Sequence, residues 1–203
     1  MPGKRATKDT RRAQILRAGY RVAARVGLDQ LTVRLVATQA RLSSGLVHFY
    51  FQTKERLLTA LLSDVLKTTA VLRVTPDISG IKSPVTRLRS LLQREMIALS
   101  TEPRRIRLFF EYLVKGFRDP LIRTKMQAEF RRYREAIRPT AEAVLASEPE
   151  RFPNVSATGL AAVAVGVIEG GAVQAMIDPK NFDVDEYMTA AKGLLEQSGK
   201  STR

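Results

Sequence analysis

Ser44, Gly45 and His48 combine residue types that suit hydrogen bonding to a closely approaching partner. Serine and histidine side chains can each donate or accept a hydrogen bond, and glycine has no side chain to hold a partner away from the backbone. At this spacing the three residues share one side of a helix. The major groove of double-stranded DNA presents matching donors and acceptors, so these three are candidate base-reading residues.

The segment Leu31–Leu58 must position those residues, and its first part is predicted to be a short helix. Thr32 can cap this helix, and Leu31 is placed to form a hydrophobic staple with Val36. Apolar residues then recur at helical spacing and give the helix one buried side. They are Val33, Val36, Ala37 and Ala40.

A second short helix is predicted to follow after a tight turn at Arg41-Leu42. Ser43 can cap this helix, which runs from Ser44 to about Phe51 and turns Val47 inward. Two short helices joined in this way form a helix-turn-helix, whose second helix enters the major groove. The same spacing also fits two ordinary helices of an all-α bundle, so spacing alone leaves both interpretations open.

The segment from Thr10 to about Leu62 resembles the DNA-binding domain of the TetR family of transcriptional regulators. The residues that carry the resemblance are Ile15, Ala18, Gly27, Thr32, Val36, Ala37, Ala40, Ser43, Ser44, Gly45, Phe51, Thr53, Lys54, Glu55, Leu57 and Leu58. The run His48-Phe49-Tyr50-Phe51 is similar to the branch of that family that contains the choline-responsive repressor BetI. The resemblance implies a dimeric repressor that a small molecule releases from DNA.

Two residues depart from the family pattern, which usually has glycine where Arg41 stands and tyrosine where His48 stands. If Arg41 keeps a left-handed turn, it costs about 1–2 kcal/mol relative to glycine. A different turn and a phosphate contact by the guanidinium are the other interpretations.

The resemblance also implies which residues contact DNA phosphates. Tyr50 and Lys54 align with family positions that do so, and Thr32 and Thr53 can add contacts through hydroxyl or capped N–H groups. The expected phosphate contacts are Thr32, Arg41, Ser43, Phe49, Tyr50, Thr53 and Lys54. The alternative is that Tyr50 is partly a core residue and that the threonines serve only as caps.

Positive charge is concentrated near the candidate reading helix. The chain has a formal net charge of +14, and residues 1–60 hold 12 basic and 3 acidic residues. This concentration of positive charge gives one end of the chain an electrostatic field that attracts a polyanion. It also allows a second interpretation, in which the protein is an architectural DNA-binding protein that tolerates any sequence.

The composition excludes several chemistries. With no cysteine and a single histidine, the chain has no disulfide, no expected metal site and few nucleophile–base pairs, so we expect neither an enzyme nor a cofactor. No apolar segment follows the first basic residues, and the longest apolar run, Leu160–Ile168, is far shorter than a membrane span. The expectation is a cytoplasmic protein without a membrane partner.

The predicted fold is all-α, with about nine helices in two domains. Residues 1–9 are expected to be a flexible basic arm, and residues 10–55 a three-helix helix-turn-helix domain. Residues 56–203 are expected to be a helical domain for effector binding and dimerisation.

Two sets of residues carry the expected functions of the second domain. Aromatic residues of the middle helices and one acid are candidates for the pocket of an unknown small-molecule effector, although core packing explains any single aromatic equally well. They are Phe109, Phe110, Tyr112, Phe130, Tyr133 and Glu169. The last two helices are expected to pair with those of a second copy in a four-helix homodimer interface. The expected contacts are Val163, Val167, Gly170, Gln174, Tyr187 and Leu194.

Overall fold

The computed structural model describes residues 7–68 and 75–196, and within those ranges it consists of helices without a strand. The helices are α1 (Lys8–Gln30), α2 (Val33–Ala40), α3 (Ser44–Phe51), α4 (Lys54–Thr68), α5 (Pro76–Ser79), α6 (Pro84–Thr101), α7 (Pro103–Gly116), α8 (Pro120–Ser147), α9 (Ala157–Ile177) and α10 (Val184–Glu196), with a short 3-10 turn at Pro149–Arg151. The all-α prediction is confirmed. Ten helices appear in the described residues rather than about nine, because the four-residue helix α5 forms in the segment between Thr75 and Pro84.

The chain forms two compact units, and each of them is built from two separate stretches of the sequence. The first unit comprises Met1–Thr69 and Arg104–Gln127, and the second comprises Ala70–Pro103 and Ala128–Arg203. The predicted boundary lies at residue 55, whereas the first unit also includes α4, nearly all of α7 and the first turns of α8.

The core of the first unit is built from apolar stripes on α1 and α4. On α1, Ile15, Val22 and Ala23 are inaccessible to solvent, as their helical spacing predicts. The buried stripe of α4 consists of Leu57, Leu58, Leu61, Leu62, Val65 and Leu66. These stripes give the two short helices α2 and α3 a rigid support.

Helix α1 includes the last residues of the predicted basic arm. Thr7 caps it and accepts a hydrogen bond from the backbone N–H of Thr10, so residues 7–9 belong to the helix and its cap rather than to the arm. The rest of the predicted arm lies outside the described residues. Gly27 breaks the helix with φ 81° and ψ 168°, and one further turn then runs to Gln30.

The second unit is organised around α6, α8, α9 and α10. Leu88 and Leu91 of α6 and Ile137 of α8 are almost fully buried in its core. The Tyr187 hydroxyl on α10 donates a 2.7 Å hydrogen bond to the Val167 carbonyl on α9. The two helices predicted to form the dimer interface are therefore held together within one chain.

Helix α9 is the most apolar element of the unit. Among the described residues, it alone is long and apolar enough, by length and composition, to cross a membrane, with 21 residues and a hydropathy of 1.8. Glu169 ends the uninterrupted apolar run at Ile168, and further Ala, Gly and Val residues beyond Glu169 keep the helix apolar on average. The core helix of a soluble protein meets the same criterion of length and composition. The buried residues of α9 are Leu160, Ala161, Ala164, Val165, Ile168, Gly171 and Ala172.

Candidate nucleic-acid interface

Helix α2 and its turn have the local geometry of a helix-turn-helix. The Thr32 side chain accepts a hydrogen bond from the backbone N–H of Leu35 at 3.2 Å, which confirms the predicted cap. Arg41 ends α2 in the left-handed conformation, with φ 55° and ψ 47°. The N–H groups of Arg41 and Leu42 donate to the carbonyls of Thr38 and Ala37, the pattern of a Schellman motif. The turn therefore keeps the backbone expected of a glycine although arginine occupies it.

Helix α3 runs over Ser44–Phe51, as predicted, and divides into an inner and an outer side. The Ser43 hydroxyl caps it by accepting from the backbone N–H of Leu46 at 3.2 Å. Val47 and Phe51 are buried, at 0% and 4% exposure. Ser44, Gly45 and His48 are exposed on the outer side, so the structure brings the three candidate base-reading residues to one surface.

The glycine on this surface is not required by packing within the chain. A Cβ atom built on Gly45 would meet no heavy atom within 4 Å. Glycine in the interior of a helix costs about 0.5–1 kcal/mol relative to alanine. Its presence on an open face is explained if something outside the chain approaches the backbone there.

A strained turn closes α3. Gln52 has φ 61° and ψ −51°, and the backbone N–H of Thr53 donates to the Phe51 carbonyl at 2.6 Å across it. This is a γ-turn of the rare, strained type with positive φ. The Nδ1 atom of His48 lies 3.1 Å from the Gln52 carbonyl oxygen. The strained turn therefore also engages one of the base-reading candidates.

Several polar side chains also lie at the start of α4. Thr53 accepts a hydrogen bond from the N–H of Arg56 at 3.2 Å, as predicted for the cap. The Lys54 ammonium group donates to the Asp29 carbonyl at 3.1 Å, so it is held by the last turn of α1. Hydrogen bonds from its own backbone N–H and from Thr53 lower the pKa of Glu55, which keeps a carboxylate at this helix terminus. A phosphate bound here would have to displace that carboxylate.

The expected phosphate-contacting residues lie around these two helix ends. Thr32, Arg41, Ser43, Phe49 and Thr53 are exposed. Tyr50 is half-buried, with its ring edge-on to that of Phe49 at 5.4 Å. Phe49 has no polar side-chain atom and is 72% exposed. Its backbone N–H lies inside α3 and is used by the helix, so Phe49 has no hydrogen-bond donor to offer a phosphate.

Two residues of α1 that support the interface are missing from the sequence-based prediction. Gln14 donates from Nε2 to the Ala40 carbonyl at 2.8 Å, just before the turn of the helix-turn-helix. The guanidinium of Arg12 lies over the Phe51 ring, 5.0 Å from its centroid. Helical spacing places both residues near the outer side of α1, but spacing alone does not reveal which partner they meet.

The six effector candidates are divided between the two units. Phe109, Phe110 and Tyr112 belong to the first unit, and Phe130, Tyr133 and Glu169 to the second. Tyr112 is fully buried, and its hydroxyl donates to the Leu58 carbonyl at 2.9 Å, as is usual for a tyrosine in a core. Burial raises the pKa of Tyr112, so its hydroxyl stays protonated.

The second unit contains buried carboxylates that the sequence did not single out. Glu95 on α6 and Glu129 on α8 are only 7% and 5% exposed. Tyr133 is hydrogen-bonded to Glu129, and Glu95 is close enough to act on it electrostatically. Glu129 pairs with Arg132, whereas burial raises the pKa of Glu95 to about 7. Their helical positions were visible in the sequence, but their burial was not.

Glu169 is the one charged residue of α9 and has an unusual environment. Burial raises its pKa to about 7. Its Oε1 atom is inaccessible to solvent and has no hydrogen-bond partner. A buried carboxylate oxygen without a donor is costly and calls for a compensating group.

The dimer candidates lie along α9 and α10 with very different exposure. Val163 and Leu194 are 62% and 75% exposed, and Gln174 is also exposed. Val167, Gly170 and Tyr187 are partly buried, and Tyr187 contacts Val167 within the same chain. Ile177, at the end of α9, is 76% exposed and adds to the apolar surface of the unit.

Comparison with known families decides which class of protein has this geometry. Residues 15–61 match the family described as bacterial regulatory proteins of the tetR family. Residues 84–199, more than half of the chain, match the C-terminal region of BetI-type transcriptional repressors. The chain belongs to the TetR family. It is a transcriptional regulator and not an enzyme, and both the family resemblance and its BetI-like branch are confirmed.

Individual relatives of this TetR-family regulator agree with that assignment. It is 26% identical to the HTH-type transcriptional regulator BetI of Burkholderia cenocepacia (strain J2315) over 166 residues, which cover 82% of this chain and 84% of the relative. It is 23% identical to BetI of Vibrio vulnificus (strain YJ016) over 189 residues, 92% of this chain and 91% of the relative.

Solved structures share the fold. A transcriptional regulator from Saccharomonospora viridis in complex with choline aligns with a TM-score of 0.77 and 19% identity, covering 94% of this chain and 97% of that one. A TetR transcription regulator from Haloarcula marismortui aligns with a TM-score of 0.71 and 20% identity, covering 94% and 96%. At these identities the comparison establishes the fold of this TetR-family chain.

Proposed function

We propose that this regulator binds a palindromic DNA operator as a homodimer in the cytoplasm, represses transcription there, and is released by a small-molecule effector. The observation that carries the proposal is the outer side of α3, where Ser44, Gly45 and His48 are exposed while Val47 and Phe51 anchor the helix. A dimer would place two such helices one DNA turn apart, about 34–36 Å, on a pseudo-palindrome.

Competition between DNAs tests the first part of this proposal. An operator selected from a random pool is labelled and bound, and unlabelled bulk DNA is added. We expect bulk DNA to compete at least about 1,000-fold less well than the selected operator. Equal competition would favour the alternative of a sequence-tolerant architectural protein.

Lys54 provides a second test, because its ammonium group donates to the Asp29 carbonyl at the surface of the first unit. We propose that it moves to a phosphate in the complex. Lys54→Ala should then weaken binding to every sequence and flatten the slope of log affinity against log salt by about 1. Lys180→Ala, in the loop before α10, is the matched control and should leave the slope unchanged.

Support for the dimer comes from the outer surface of α9 and α10. Val163, Ile177 and Leu194 are large, apolar and more than half exposed, on helices that are already joined within the chain. A second copy that covers this surface would form a four-helix interface. Val163→Arg should lower the mass measured by light scattering toward that of one chain. Val155→Arg, at an exposed valine before α9, is the control and should not.

The effector proposed here is a small organic cation of the quaternary ammonium type, with choline as the first candidate. Glu169 has a buried oxygen without a hydrogen-bond donor, and Glu95 is a second buried carboxylate of the same unit. Aromatic faces, which the second unit has at Phe130 and Tyr133, attract such cations. The related structure that contains choline, and the match to BetI-type repressors, support the same class of ligand.

Choline and its uncharged isostere 3,3-dimethyl-1-butanol distinguish a cationic from an apolar effector. We expect choline to bind the protein and to dissociate the operator complex. A ligand has this effect only if it binds more tightly to one spacing of the reading helices than to the other. The isostere should do neither, and Glu169→Gln should weaken choline binding about tenfold or more. Equal effects of both compounds would show that the pocket recognises an apolar ligand.

A further inference from the structure

His48 is held in one tautomer by the end of its own helix. Its Nδ1 atom lies 3.1 Å from the carbonyl oxygen of Gln52. A carbonyl oxygen can only accept a hydrogen bond, so Nδ1 must carry the proton in this contact. In the neutral ring the other nitrogen, Nε2, then has a lone pair and no proton.

The accepting carbonyl is fixed in place by the γ-turn at Gln52. The backbone N–H of Gln52 donates to the His48 carbonyl at 2.7 Å, and the N–H of Thr53 donates to the Phe51 carbonyl at 2.6 Å. These two bonds hold the Gln52 peptide against the last turn of α3 at φ 61°. The tautomer of His48 is therefore set by backbone geometry and does not depend on a mobile side chain.

A base-reading side chain that can only accept hydrogen bonds has few possible partners in the major groove. Adenine presents its N6 amino group and cytosine its N4 amino group as donors, whereas guanine and thymine present only acceptors and a methyl group. We propose that His48 determines operator specificity by accepting a hydrogen bond from the exocyclic amino group of an adenine or a cytosine. This inference rests on the proposed operator binding. The Ser44 hydroxyl can donate as well as accept, so it cannot impose the same restriction.

The tautomer can be observed without DNA. His48 is the single histidine of the chain, so the imidazole signals of the full-length 15N-labelled protein need no assignment. In a long-range 1H–15N spectrum at a pH where the ring is neutral, we expect Nδ1 to show the shift of a protonated nitrogen and Nε2 that of an unprotonated one. The opposite pattern would overturn the inference. Lys180→Ala, in the second unit, is the control and should leave both shifts unchanged.

The choice of base is tested with operators that lack a single amino group. Each adenine in a selected operator is replaced in turn by unsubstituted purine, and each cytosine by 2-pyrimidinone, which remove only that group. At one position per half-site we expect about 3- to 10-fold weaker binding, the value of one neutral hydrogen bond. His48→Ala should bind the modified and unmodified operators equally well.

A reversed hydrogen-bonding group at this position should reverse the preference. His48→Lys can only donate, so selection from a random pool should move from adenine or cytosine toward guanine at that position. If the wild-type protein bound every modified operator as tightly as the unmodified one, this inference alone would be refuted. Absence of binding to any selected DNA would refute the proposed function as well.

Discussion

The carboxylate of Glu111 on α7 accepts a 2.7 Å hydrogen bond from the backbone N–H of Leu28, 83 residues earlier in the chain. That N–H directly follows the helix break at Gly27, where a regular helical partner is lost. Arg107, one turn before Glu111, pairs with it and donates to the Ala24 carbonyl. Within the first unit, α7 therefore secures the end of α1 that leads into the DNA-binding helices.

Glu111→Ala should destabilise the protein, because it leaves the Leu28 N–H without its acceptor and Arg107 without its ion pair. We expect a loss of about 1–2 kcal/mol in the free energy of unfolding, measured by urea titration at fixed protein concentration. Glu135→Ala removes an exposed ion pair with Arg138 and is the control. Its effect should stay below about 1 kcal/mol. Similar losses for both variants would contradict a special role for the Leu28 contact.

Arg41→Gly should stabilise the protein, because glycine adopts the left-handed conformation of this turn without steric cost. We expect a gain of about 1 kcal/mol in the free energy of unfolding. Arg41→Ala removes the same guanidinium but keeps the strained backbone, so its stability should remain close to that of the wild type. If Arg41 also contacts a phosphate, both variants should weaken DNA binding to the same extent. A gain in stability for alanine as large as that for glycine would show that the charge matters and the turn does not.

Gly45→Ala should separate folding from DNA binding. The added Cβ meets nothing within 4 Å, and alanine is the better helix former, so stability should rise by about 0.5–1 kcal/mol. The same methyl group should weaken operator binding about tenfold or more, because it keeps α3 away from the groove wall. Thermal unfolding and operator titration of one preparation measure both effects. Unchanged operator affinity would remove Gly45 from the base-reading set.

The contribution of Glu169 to the stability of the protein should fall as the pH rises from about 4.5 to about 7. Burial raises the pKa of Glu169 to about 7, so between these values the folded chain binds a proton that the unfolded chain has lost. Glu169→Gln should reduce this loss by about 1–2 kcal/mol after allowance for solvent screening. Glu142→Gln, at an exposed glutamate of α8, should not reduce it. Choline affinity should change in the opposite direction and increase through the same pH range, because the carboxylate becomes charged.

Local signals in the sequence were sufficient to predict most of the helices. The caps at Thr32, Ser43 and Thr53 occur where polar side chains precede apolar periodicity, and each makes the expected bond three residues later. The apolar stripe of α4 was equally legible, since it repeats at three- and four-residue spacing over several turns. A cap and a stripe are short-range properties, so one sequence contains all the information that they need.

Contacts between distant segments could not be obtained in the same way. Nothing near Glu111 in the sequence indicates that its carboxylate reaches Leu28, because the pairing depends on how α7 packs in the first unit. Glu95 looked like an ordinary charged residue of an amphipathic helix, yet it is 7% exposed. The aromatic effector candidates were grouped by proximity in the sequence, which the division into two units does not follow.

The cap and the turn at the two ends of α3 have a consequence for the thermodynamics of operator association. An eight-residue helix is too short to persist alone in water, but Ser43 and Gln52 fix its two ends, and Val47 and Phe51 anchor it to the core. The element therefore arrives at the duplex already folded. Association should carry the small heat-capacity change of rigid surfaces meeting, without the large negative change of a segment that folds as it docks.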